Sequence, residues 1–190
     1  MADELWVWRH PRPQQVEGRC IGRTDVPVDP RLARRLARRI QRVARTNGLP
    51  FLIWTSPLQR CADVGRWLRR WGWTHRIDTA LSEMDFGAWD GQPWSAIARA
   101  EVEAWNADFA AHPPGGGESV RAMLARVRAW QHSGIVLMVG HAGWMRARRW
   151  SDTSTDSPLT STQFPAAPKY GALWKLGTAP QQRSGVAVRR

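Results

Sequence analysis

Arg9-His10 closes the apolar stretch Leu5-Trp6-Val7-Trp8, and Gly140-His141-Ala142-Gly143 closes a second one, Ile135-Val136-Leu137-Met138-Val139. Two histidines delivered by buried strands into turns can meet at one edge of a parallel sheet. Arg60 and Glu83 arrive from the chain between them. Together these residues supply a nucleophile, an anion clamp and a proton donor, the requirements for transferring a phosphoryl group onto an imidazole. A histidine nucleophile must present an unprotonated ring nitrogen at neutral pH. Guanidinium neighbours disfavour a further positive charge, so Arg9 and Arg60 should push the His10 pKa down and then hold the phosphorylated product.

The proton donor comes from the loop Leu81-Ser82-Glu83-Met84-Asp85-Phe86-Gly87-Ala88-Trp89-Asp90-Gly91. Its aromatic side chains can dock on the core while a carboxyl faces the site. A carboxyl beside a phosphate dianion keeps its proton more readily, which suits a general acid for the leaving alkoxide. Glu83 is the first candidate, Asp85 its rival, and Asp90 a weaker one. His141 can donate to a phosphoryl oxygen and the Ala142 N–H can add a second donor, with Gly140 and Gly143 allowing close approach of the backbone. Arg60 sits one turn into a helix opened by Ser56-Pro57, where an anion would also meet free N–H groups. Taken singly, each residue has a plainer reading: a structural histidine, a surface arginine, a solvated acidic loop. Their conjunction carries the assignment. His75, His112 and His132 lack ligand spacing, so no metal is expected, and no Gly-rich segment makes a P-loop or dinucleotide fingerprint, so no cofactor is expected.

The elements that must position these groups follow from spacing. Leu5–Trp8, Phe51–Trp54, residues 76–78, residues 135–139 and residues 171–176 read as strands. Asp29-Pro30 caps a helix carrying Leu32, Leu36, Ile40 and Val43 inward, ended by Asn47-Gly48. Ser56-Pro57 caps the next, with Leu58, Cys61, Ala62, Gly65 and Leu68 inside. Trp94, Ile97, Val102, Trp105 and Phe109 suit one or two helices. Val120 to Trp130 and Trp144 to Trp150 suit two more. Alternating strands and helices predict an α/β fold, a three-layer α/β/α sandwich with a mostly parallel central sheet. Residues 1–176 are expected to form one domain, with 151–168 a polar loop and 177–190 a basic tail.

The chain has 190 residues, an apolar fraction of 43% and a net charge of +12. It contains no apolar run long enough to span a bilayer, and its acidic start is unlike a signal peptide, so the cytoplasm is expected. Cys20 and Cys61 form neither a metal spacing nor a disulfide framework. Much of the positive charge comes from seven arginines in the helix after Asp29. They read as a solvated helix face, so no nucleic-acid partner is expected, although such a face could hold one and would attract any anionic substrate.

Arg9-His10, Ser56-Pro57-Leu58-x-Arg60, Glu83-x-x-Phe86-Gly87-x-Trp89-x-Gly91, Pro114-Gly115-Gly116-Gly117-Glu118-Ser119 and Gly140-His141-x-Gly143 resemble, in order, the histidine phosphatase (phosphoglycerate mutase-like) superfamily. The resemblance covers roughly residues 4–150. The segment from Gly18-Arg19-Cys20-Ile21-Gly22 to Asp25-Val26-Pro27 is most similar to α-ribazole phosphatases of cobalamin synthesis. What this implies is metal-free hydrolysis of α-ribazole 5′-phosphate, a small phosphomonoester. His10 would be phosphorylated, Arg9, Arg60 and His141 would hold the phosphoryl group, Glu83 would donate the proton, and water would attack the phosphohistidine. Pro11 stands where most of the superfamily has Gly, and Ile21 stands where the α-ribazole family has Tyr. A broad phosphomonoesterase, a mutase and a basic nucleic-acid-binding module are the competing readings. The short chain lacks the Asn-bearing loop of mutases.

Overall fold

The computed structural model describes residues 3–153 and 160–177. Five strands form one sheet: β1 (Glu4–Arg9), β2 (Leu52–Thr55), β3 (Thr74–Ile77), β4 (Ile135–Gly140) and β5 (Leu173–Gly177), in the order β3-β2-β4-β1-β5. The β2–β3, β2–β4 and β1–β4 pairs are parallel, and β5 runs antiparallel to β1 at the edge.

The central strands are apolar on both faces because each face is covered by helices. Leu5 and Val7 of β1, with Val136 and Met138 of β4, face one core. That core is built on α4 (Val120–Ala129) and α5 (Ala142–Thr153). The alternate residues Trp6, Trp8, Leu137 and Val139 face the other core, under α1 (Pro30–Thr46) and α2 (Gln59–Arg70). The period of two in strand side-chain direction thus produces the expected three layers.

Several details differ from the sequence expectation. The inner face of α1 is Ala33, Leu36, Ala37, Ile40 and Ala44, while Leu32 is exposed. Alanines let the helix lie close to the tryptophan-bearing sheet, which rotates its buried stripe by about one residue relative to the larger apolar side chains. Asp29 does cap this helix, accepting from the Arg31 N–H at 2.8 Å.

Helix α2 begins at Gln59, with Leu58 rather than Ser56 in the cap position. Its first turn is satisfied from outside, by Asp25 Oδ1 accepting from the Gln59 N–H at 2.7 Å. Ser56 is thereby released for a different bond, described below. Phe51 stays outside β2 and stacks on Trp73, and α5 runs on through Thr153, taking the start of the expected 151–168 loop. Residues 154–159 and the tail beyond Gly177 lie outside the described residues. The stretch after Gly91 holds a 3-10 turn at Trp94–Ala96 and the helix α3 (Arg99–Ala107).

Candidate active site

His10 is the first residue beyond β1, and His141 the first beyond β4. These strands are neighbours in register, with Arg9 beside Gly140, and the His10 N–H donates to the Gly140 carbonyl at 3.0 Å. Sheet pairing alone therefore sets the two rings side by side, with centroids 5.2 Å apart. Arg60 comes from the first turn of α2, and Glu83 from the loop after β3.

These side chains meet at a cavity of about 450 Å³ lined by Arg9, His10, Arg60, Glu83, Ala142 and Gly143 among others. His10 Nδ1 lies 2.7 Å from the Pro11 carbonyl, an acceptor only, so Nδ1 carries the proton and Nε2 keeps its lone pair. Burial, and next the Arg60 guanidinium, hold this imidazole well below the ordinary histidine value, and Arg9 adds to the effect. The ring is thus neutral and of fixed tautomer, with the Nε2 lone pair free of the Pro11 bond.

Arg60 is 1% exposed. Its guanidinium donates to the carbonyls of Gly22 at 2.5 Å and Thr24 at 2.8 Å, and Nε donates to His141 Nδ1 at 3.3 Å. The Gly22–Thr24 loop is in turn shaped by Asp90. Its carboxylate accepts the N–H groups of Gly22, Arg23 and Thr24 and the Thr24 hydroxyl. Asp90 is therefore a scaffold for Arg60. Asp85 is likewise committed, accepting from the Gly87 N–H and facing Arg23. Of the three carboxyls considered, Glu83 is the one that lines the cavity. Its Oε2 accepts from the Gly143 N–H at 3.0 Å and its Oε1 from the Met84 N–H at 3.0 Å.

His141 is fully buried, and both ring nitrogens are engaged. Nδ1 accepts from Arg60, so Nε2 carries the proton and donates to Ser56 Oγ at 2.6 Å. Burial, with Arg60 next, holds this ring well below the usual value too. The His141 ring is not among the residues that line the cavity, where Ala142 and Gly143 form the wall.

Arg9 donates to the Pro168 carbonyl at 2.6 Å and lies over the Tyr170 ring at 3.8 Å, while its buried Nε has no partner among the described residues. Arg9 also lines the cavity, which places its positive charge beside any anion bound there. Among the described residues no group of three or more His, Cys, Asp or Glu side chains could hold a metal ion. The two cysteines are buried and unpaired, and burial pushes both thiols up to about 12.

Residues 5–163 match the model of the histidine phosphatase superfamily (branch 1). The chain belongs to this family.

Several solved structures are similar to this chain. One is a mycobacterial glucosyl-3-phosphoglycerate phosphatase, in a complex with VO3, at 26% identity and a TM-score of 0.72 over 90% of each chain. Another, named mycobacterial hydrolase 2, gives 25% identity and a TM-score of 0.73 over 93% of this chain and 82% of that one. A bifunctional protein of Mycobacterium tuberculosis is 34% identical over 105 residues. That match takes in 53% of this chain and 28% of the longer protein, so the chain spans under a third of the curated relatives it matches. Among the described residues no helix is long and apolar enough to cross a membrane.

Two residues of this histidine phosphatase site escaped sequence reasoning. Arg146, one turn along α5 from Gly143, lines the cavity, lies over Phe164 at 4.3 Å and donates from Nε to the Pro165 carbonyl. Tyr170 comes from the segment before β5 and packs on both Arg9 and His10. Helical spacing from Ala142 and Gly143 could have flagged Arg146. Nothing in the sequence flags Tyr170, because the antiparallel return of β5 brings it back.

Proposed function

We propose that this histidine phosphatase hydrolyses a small phosphomonoester through a phosphohistidine on His10. The observation that carries the reading is the fixed tautomer of His10: Nδ1 is occupied by the Pro11 carbonyl, leaving Nε2 as the nucleophile in a cavity that Arg9, Arg60 and Glu83 also line. Nε2 attacks phosphorus as the P–O bond to the leaving group breaks. The Glu83 carboxyl supplies the proton that the departing alkoxide takes up. Water then attacks phosphorus, the P–N bond breaks, and Glu83 recovers a proton from that water. Arg9 and Arg60 neutralise the phosphoryl oxygens. The Ala142 N–H adds a donor there, and His141 joins by turning its Nε2–H from Ser56 to a phosphoryl oxygen. No step calls on a metal.

For the substrate, our reading is α-ribazole 5′-phosphate. The Gly18 to Pro27 segment supports it. So does the far wall of the cavity, where Phe86, Trp94, Trp105, Phe109 and Phe164 suit a flat aromatic base more than a polyhydroxylated leaving group. Glucosyl-3-phosphoglycerate is the second reading, favoured by the likeness to the mycobacterial phosphatase. Rapid quenching with radiolabelled substrate should trap an acid-labile phosphoryl adduct on His10, and an adduct elsewhere or none overturns the mechanism. Relative kcat/KM on the two substrates decides between them.

A further inference from the structure

Helix α1 carries a feature that phosphoryl transfer does not use. Arg31, Arg34, Arg35, Arg38, Arg39 and Arg42 line a single groove of about 890 Å³, joined by Arg12 and Tyr170. Among the described residues no acidic side chain lines it. Among the described residues none of these six arginines is in an ion pair, and the Pro30–Thr46 helix itself contains no acid.

Solvating a helix does not require this arrangement. Arg31 and Arg35, Arg34 and Arg38, and Arg38 and Arg42 are like charges one turn apart, which weakens a helix, whereas interspersed acids would solvate it without that cost. A bound polyanion would relieve the repulsion. From Arg31 to Arg42 the helical rise spans about 16 Å, so the guanidinium groups form a track and not a point site. The track is bordered by the Tyr170 ring, 39% exposed, which lines both this groove and the catalytic cavity. Arg9 covers that ring at 3.8 Å. A continuous positive track bordered by a part-exposed aromatic side chain is the combination that holds unpaired nucleic-acid strands, with phosphates on the arginines and a base against the exposed part of the ring.

We propose that the α1 groove binds single-stranded nucleic acid. A strand seated there ends beside the catalytic cavity, sharing Tyr170 with it.

Fluorescence anisotropy with a labelled oligonucleotide of about twelve nucleotides tests this on the full chain. Affinity should fall steeply between about 50 and 200 mM salt. Arg35→Glu/Arg38→Glu/Arg42→Glu should weaken binding by at least about tenfold and flatten the salt slope, with hydrolysis of p-nitrophenyl phosphate unchanged. The matched reversal on α2, Arg66→Glu/Arg69→Glu/Arg70→Glu, should bind nearly as the parent does. Circular dichroism melting checks that both variants fold. Equal losses in the two variants would mean that net charge and not the groove is responsible, and would overturn the proposal. So would inorganic polyphosphate or duplex DNA of matched charge competing as well as the single strand.

Discussion

The Gly143 N–H holds Oε2 of Glu83 at 3.0 Å, tying the loop carboxyl to the first turn of α5. A Cβ at position 143 would overlap Glu83 Oε1, so the close approach requires glycine. Gly143→Ala should therefore reproduce the defect of Glu83→Gln without removing the carboxyl. Both variants should slow an alkyl phosphate by about 10²–10⁴-fold, and p-nitrophenyl phosphate far less, because that leaving group hardly needs protonation. Equal slowing of the two substrates would remove Glu83 from the role of acid.

His10→Ala should abolish turnover, and the parent enzyme should keep full activity in EDTA. Steady-state phosphate release checks both. Residual turnover by the variant at the parent rate, or loss on chelation, contradicts a histidine nucleophile working without metal.

The pH dependence of activity follows from the same geometry. Burial and Arg60 hold His10 and His141 well below the ordinary value, so both stay neutral through mild acid. The kcat/KM profile should show no acid-side inflection near the free histidine value of about 6.5. An inflection there that disappears in Ser56→Ala would instead assign that titration to His141.

Stability should also fall in acid. His75 is pushed down to about 4 by burial and then by Arg69 and Arg66, and His10, His132 and His141 are lowered as well. Each folded value lies below the unfolded one, so the unfolded chain binds protons that the fold refuses. The stabilisation is complete above about pH 6.5 and is lost as pH falls toward 4. Melting temperature should drop between these limits, and His75→Gln should make the drop shallower. A flat profile would contradict the assignment.

Asp90 supports Arg60 at one remove, through the Gly22 and Thr24 carbonyls. Asp90→Ala leaves three backbone N–H groups without their acceptor and should cost about 1–3 kcal/mol in stability. Because Arg60 loses its mount, KM should rise as well. Denaturant melts together with steady-state kinetics measure both, and a KM equal to the parent's would detach the loop from the anion clamp.

Residue order determined a good deal by itself. Apolar runs ending in Arg9-His10 and Gly140-His141 marked the strands, their ends and the two histidines. The helical periods framed α1, α2, α4 and α5. These are local signals, set by chain periodicity and by turn chemistry. Residue order also ranked Glu83 ahead of Asp85 and Asp90. Only tertiary structure placed Glu83 at the cavity and engaged the other two elsewhere, since three nearby carboxyls differ in which partners the fold gives them. It gave Ser56 to His141 in place of a helix cap, because Asp25 reached the first turn of α2 from a distant loop. It also brought Arg146 and Tyr170 to the cavity and set the arginine face beside Arg12 and Tyr170 to make a groove. Contacts between residues far apart in the chain leave no period to read, and it is those contacts that fix tautomers, isolate charges and shape the space around a substrate.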